Sequence, residues 1–86
     1  MHYTYILQSK LDGNLYTGCT SDLRKRLRQH SAGTVVSTAE RRPVELIYYE
    51  ACLDQNDAYA REKYLKTGMG KRYVKNRLKR FLSLTG

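Results

Sequence analysis

Residues 3–19, YTYILQSKLDGNLYTGC, are the stretch from which the fold is read. The β-branched and aromatic residues of YTYILQ (3–8) favour extended backbone, where such side chains pack on a pleated surface. Asp12-Gly13, within LDGN (11–14), is a hairpin signal because glycine enters left-handed backbone at no steric cost. LYTGC (15–19) then reads as the return strand, and the whole stretch predicts an antiparallel hairpin. The strand period of two puts Tyr3 and Tyr5 on one face. A turn at Asp12-Gly13 brings Tyr16 close to Tyr5 across the pair. Aromatic pairs across strands serve packing more often than chemistry.

Outward from the hairpin, Thr20-Ser21-Asp22 offers side chains that accept from the free N–H groups of a helix start. Leu23, Leu27 and His30 follow at helical spacing and Gly33 is a stop, predicting a helix over about residues 21–31. Residues 33–43, GTVVSTAERRP, show no period and end in proline, so they read as a loop. VELIYYEA (44–51) predicts a third strand, and its apolar run predicts a central or well-covered position. Asp54 and Asp57 suit the start of a second helix that ends near Thr67-Gly68. GKRYVKNRLKRFL (70–82) predicts a third, with Val74, Leu78 and Phe81 on one face and basic residues on the others. The order β-β-α-β-α-α is that of an α+β domain, a small three-stranded antiparallel sheet flanked by helices.

The 86 residues suit one domain, 1–86, with one small core. Cys19 and Cys52 are too few for a disulfide scaffold and show no zinc-site spacing, so reduced thiols in a cytoplasmic protein are expected. MHYTYILQSK has no basic leader followed by a long apolar core, and no signal peptide is expected. No run approaches the roughly 20 apolar residues that span a bilayer. Sixteen basic side chains against eight acidic ones leave a net charge of +8. Such a balance favours polyanions, nucleic acid first and an anionic membrane surface second. Eight tyrosines suit stacking on bases, and equally suit a small half-wet core.

Between residues 61 and 80 lie nine of the sixteen basic residues and one acid, Glu62. At 3.6 residues per turn Glu62 shares a face with Ala58 and Leu65, the apolar face. A half-buried carboxylate is costly without a cation. The helix alone favours an internal ion pair with a nearby Lys or Arg over a functional role. On the first helix Arg26 and His30 are one turn apart and flank the Leu23/Leu27 face. Taken in isolation, His30 reads as a helix-end histidine favoured by the dipole.

In chain order these features are less ordinary. A tyrosine pair on a hairpin, then Gly18, then Arg26 and His30, then one inward glutamate resembles the GIY-YIG nuclease superfamily. Tyr3-Thr4-Tyr5 matches the first signature and Tyr16-Thr17-Gly18 the second. Arg26, eight residues after Gly18, stands at the family's arginine. His30 falls where members carry a histidine or tyrosine, Glu62 on the metal-binding glutamate, and Asn76 on a late asparagine. Tyr3 and Thr4 replace the name-giving Gly and Ile, and Thr17 replaces the second Ile. All three lie in strands. The resemblance covers residues 3–80 and is closest to small stand-alone bacterial members.

The resemblance implies a divalent-metal-dependent endonuclease in DNA repair or processing. Tyr5, Tyr16, Arg26, His30 and Glu62 would be its catalytic set, with Gly18 structural at the site and Asn76 a further member. Glu62 would hold one Mg²⁺ or Mn²⁺, ions that need few protein ligands. Arg26 suits the non-bridging phosphate oxygens, which a planar fork can grip. The base would be Tyr5 or Tyr16, Tyr5 being favoured, with His30 assisting. Lys63, Lys66, Lys71, Arg72, Lys75 and Arg77, continued by Lys79 and Arg80, would track phosphates and carry little sequence information. No recognition helix or zinc finger is visible, so single-stranded or branched DNA is favoured, with RNA open. Tyr48, Tyr49 and Tyr73 would stack on unpaired bases. The competing reading is a non-catalytic nucleic-acid-binding module. A thiol-based activity at Cys19, beside a helix start that would acidify it, has no partner residue to support it.

Overall fold

The computed structural model describes residues 1–85. Its elements are β1 (His2–Ser9), β2 (Leu15–Thr20), α1 (Leu23–Ala32), α2 (Val36–Ala39), β3 (Val44–Cys52), α3 (Gln55–Leu65), α4 (Gly68–Arg77) and α5 (Lys79–Thr85). The three strands form one antiparallel sheet in the order β2-β1-β3, so the expected α+β arrangement holds.

Local chemistry explains the boundaries. At the hairpin Ser9 Oγ accepts from the N–H groups of Leu11 and Asp12, and Asp12 Oδ1 accepts from Asn14 N–H. Gly13 closes the turn in left-handed backbone, φ 77°. Asp22 caps α1 by accepting from Lys25 N–H at 3.0 Å, and Gly33 ends it at φ 79°.

Three expectations need correction. β3 is an edge strand, and β1 is central. The deciding run is Thr4–Leu7 of β1, four consecutive buried residues covered on both faces. β3 exposes Glu45, Tyr49 and Ala51, and its pairing slips at Ile47, which lies between the partners of Ile6 and Leu7. The segment 33–43 is not all loop, since it contains α2. The helix expected over 70–82 starts earlier, because the Thr67 hydroxyl caps it by accepting from Gly70 N–H at 3.1 Å. That helix also breaks at Leu78, φ −108°, ψ 25°, into α4 and α5.

Successive residues of β1 face opposite sides of the sheet. Thr4 and Ile6 face α3. Thr4 Oγ1 donates to Ala58 O at 3.0 Å, and Ile6 packs with Leu65 and Val74 in the core. Burying each of those three side chains contributes about 1.5–3 kcal/mol. On the same face Arg61 grips Glu50 with two bonds, Nε–Oε1 2.8 Å and Nη2–Oε2 3.0 Å. Its guanidinium lies 4.7 Å from the Tyr73 ring centre and 5.2 Å from that of Tyr64. Tyr48 donates to Glu50 Oε2 at 2.9 Å. Burial, Tyr73 and Glu50 push the Tyr48 phenol well above its ordinary range, so it remains a donor. The internal ion pair of α3 is therefore Arg61–Glu50, one residue before Glu62. Tyr5 and Leu7 point the other way, and Tyr5 meets α1 there. Among the described residues no helix is long and apolar enough to cross a membrane.

Candidate active site

The hairpin register pairs Tyr5 with Gly18 and Leu7 with Tyr16, making Tyr5 and Tyr16 diagonal neighbours on one face. The Tyr5 ring passes directly over Gly18. A Cβ at Gly18 would run into the hydroxyl, Cζ and Cε1 of that ring. Glycine is therefore required here by close approach, not by backbone conformation.

From α1, His30 and Arg26 converge on the same phenol. His30 Nε2 lies 2.9 Å from Tyr5 Oη, with the rings edge-on at 5.6 Å between centres. Arg26 Nε donates to Tyr5 Oη at 3.4 Å, and Nη1 donates to Gln29 Oε1 at 3.1 Å. The remaining nitrogen, Nη2, makes no hydrogen bond among the described residues. His30 is 4 % exposed. Burial, then the Arg26 charge, lowers its pKa below the ordinary 6.5, so the imidazole is neutral at pH 7.

On the opposite face of the sheet α3 extends to β2, the edge strand, and there Glu62 reaches the pocket. A cavity of about 240 Å³ is lined by Tyr5, Tyr16, Gly18, Arg26, His30 and Glu62 together. Glu62 is also ion-paired, Lys66 Nζ–Oε2 3.1 Å, with Lys66 largely exposed. An exposed pair one turn apart is worth only a few tenths of a kcal/mol, so Lys66 is easily displaced from the carboxylate. Among the described residues no three His, Cys, Asp or Glu side chains cluster. One carboxylate in an open polar cavity fits a hard divalent cation that keeps most of its water, and does not fit a zinc-type cage.

Asn76 is exposed on α4 and lines neither this cavity nor the groove beside it. That groove, about 740 Å³, shares Tyr16 and Lys66 with the cavity and adds Lys71 and Lys75. Lys63, Arg72 and Arg77 are exposed outside it, as are Lys79 and Arg80 on α5. Of the tyrosines assigned to stacking, Tyr48 and Tyr73 are half-buried around Glu50 and Arg61, which leaves Tyr49 exposed. Cys19 lines the cavity, but burial and then Glu62 raise its pKa, the opposite of an activated thiol. The residue that sequence reasoning missed is Thr38, on α2, whose Oγ1 lies 2.7 Å from His30 Nδ1. It sits in the aperiodic segment 33–43, where no local pattern singles it out.

Comparison with known proteins identifies the family of the chain. Residues 1–77 match the model of the GIY-YIG catalytic domain family. A UPF0213 protein of Bacillus pumilus (strain SAFR-032) is 45 % identical over 67 residues, covering 77 % of this chain and 67 % of that protein. A UPF0213 protein of Clostridium perfringens (strain 13 / Type A) is 43 % identical over 67 residues, 77 % of this chain and 71 % of that protein. The solution NMR structure of UPF0213 protein BH0048 from Bacillus halodurans matches with a TM-score of 0.53 and 33 % identity, covering 85 % of this chain and 80 % of that one. GIY-YIG domains are nuclease domains that generally use divalent metal ions. With the family model spanning nearly the whole chain, this protein belongs to the GIY-YIG family.

Proposed function

We propose that the chain is a divalent-metal-dependent endonuclease that hydrolyses phosphodiester bonds in DNA, with single-stranded or branched DNA preferred. One observation carries this reading: Tyr5 from β1, Arg26 from α1 and Glu62 from α3 line one small cavity. A purely structural role for these three would not require them to meet.

Each side chain then has a task. The unoccupied Nη2 of Arg26 grips a non-bridging phosphate oxygen and stabilises the charge that grows there. Tyr5, already accepting from Arg26, takes the proton of the attacking water. Tyr16, whose hydroxyl has no hydrogen bond among the described residues, orients water or phosphate. Glu62 would hold Mg²⁺ or Mn²⁺, which when bound supplies Lewis-acid charge to the scissile phosphate and the leaving oxygen. Lys66, Lys71 and Lys75 guide the strand along the adjoining groove. The two free thiols suit a cytoplasmic setting.

The Glu62–Lys66 ion pair favours a second reading, a nucleic-acid-binding module whose carboxylate is already neutralised. Purified protein incubated with single-stranded, duplex and branched oligonucleotides, DNA and RNA, in Mg²⁺, Mn²⁺ or EDTA separates the two. Metal-dependent, EDTA-blocked cleavage is expected of the enzyme. Binding without cleavage of any substrate marks the module.

A further inference from the structure

We infer that Thr38 is a positioning residue: its hydroxyl donates to His30 Nδ1 and holds the imidazole as the Nε2–H tautomer, a donor to the Tyr5 oxygen. Thr38, His30 and Tyr5 form one buried hydrogen-bonded chain. Thr38 is 0 % exposed, and among the described residues its hydroxyl has one partner, His30 Nδ1 at 2.7 Å. A hydroxyl carries one proton and two lone pairs.

If Nδ1–H donated to Thr38, the Thr38 proton would have no acceptor at a point sealed from water. A stranded buried donor of that kind costs about 1–3 kcal/mol. In the opposite arrangement Thr38 O–H donates to Nδ1, and Nε2–H donates to Tyr5 Oη at 2.9 Å. The one proton left over is then the phenol's own, and Tyr5 lines the cavity, where water or substrate accepts it. Burial and Arg26 keep the ring neutral, so the choice lies between these two tautomers.

The consequence rests on the nuclease reading. Tyr5 Oη receives two N–H donors, His30 Nε2–H and Arg26 Nε–H. Both N–H groups hold that oxygen in place at the wall of the cavity. After the phenol proton leaves to water in the cavity, the phenolate takes a proton from the attacking water. That water O–H bond breaks as the phenol O–H re-forms. The water oxygen bonds to phosphorus and the leaving oxygen departs. His30 stays neutral throughout and donates, and it is neither the proton acceptor nor a relay.

Long-range ¹H–¹⁵N correlation spectra of ¹⁵N-labelled protein at pH 7.5 read the tautomer directly, with His30→Gln assigning the signal against His2. Expected is a protonated Nε2 and a bare Nδ1 in the wild type and in Thr38→Ser. Thr38→Val, which keeps the shape and removes the hydroxyl, should lose that pattern. It should also lower kcat roughly 10-fold or more at unchanged KM, with Thr38→Ser restoring it. A protonated Nδ1 in the wild type overturns the inference, and so does an unchanged spectrum in Thr38→Val. Because the wild-type spectrum needs neither a variant nor activity, an inactive protein refutes the nuclease reading without touching this test.

Discussion

The phenol of Tyr5 and the imidazole of His30, 25 residues apart in the chain, lie 2.9 Å from each other with both side chains almost wholly buried. Two buried polar groups are brought together at that cost only where each satisfies the other. Arg26 adds a third contact to the same oxygen, so disturbing any part of the cluster should be felt at the phenol.

Gly18→Ala is the sharpest steric test of the cluster. The added methyl collides with a Tyr5 ring held by His30 and Arg26. Overpacking of this kind costs about 1–3 kcal/mol. Thermal unfolding should register that loss, and cleavage should fall further than the stability change explains, because the phenol is displaced. Unaltered activity would mean that the Tyr5 position is not used.

Arg26→Ala should lower kcat by about 10²–10³-fold, the usual effect of losing one stabilising donor at a transition state. Arg26→Lys should recover little, since an ammonium cannot reproduce a planar fork. Steady-state kinetics on a labelled oligonucleotide decide it, and a fully active lysine variant would rule out the Arg26 Nη2 contact to phosphate.

His30 makes stability depend on pH with a definite sign. Burial, then Arg26, depresses its folded pKa below the ordinary 6.5. Between the two values the unfolded chain binds a proton that the folded chain does not, so stability rises with pH across that window. Urea unfolding should show the His30 contribution complete above about pH 6.5 and declining below it. In His30→Gln that slope should vanish, whereas a slope identical in both proteins would contradict the buried neutral imidazole.

Lys71 and Lys75, one turn apart on α4, line the groove that leads from the cavity. Replacing both by Ala should weaken nucleic-acid binding. It should also reduce the slope of log K against log salt by about 1.4–1.8, from roughly 0.7–0.9 per phosphate contact. Fluorescence anisotropy over a salt series measures this, and an unchanged slope would place the strand elsewhere.

Much of this was legible in the chain. Period-two and turn chemistry marked the hairpin, Asp22 and Gly33 bounded α1, and the spacing of Arg26 and His30 put both towards the sheet. What stayed hidden was tertiary. The apolar look of 44–51 pointed to a central strand, but centrality depends on pairing partners, and β1 has two. Nothing local marks Arg61 as the partner of Glu50, because the fold alone brings the two together. Thr38 carries no periodic signal, because its role comes from the segment after α1 folding back against His30. Glu62 was the ambiguous residue: it pairs with the exposed Lys66 and also lines the cavity.

Glu62→Gln therefore tests the central claim most directly. It keeps size and polarity and removes one charge that contributes only a few tenths of a kcal/mol through the Lys66 pair. Cleavage and oligonucleotide binding should be measured side by side over a Mg²⁺ and Mn²⁺ series. If Glu62 holds the metal, the expected result is no detectable cleavage at any metal concentration, with binding and unfolding midpoint close to wild type. Metal-dependent cleavage by Glu62→Gln at the wild-type rate would contradict it.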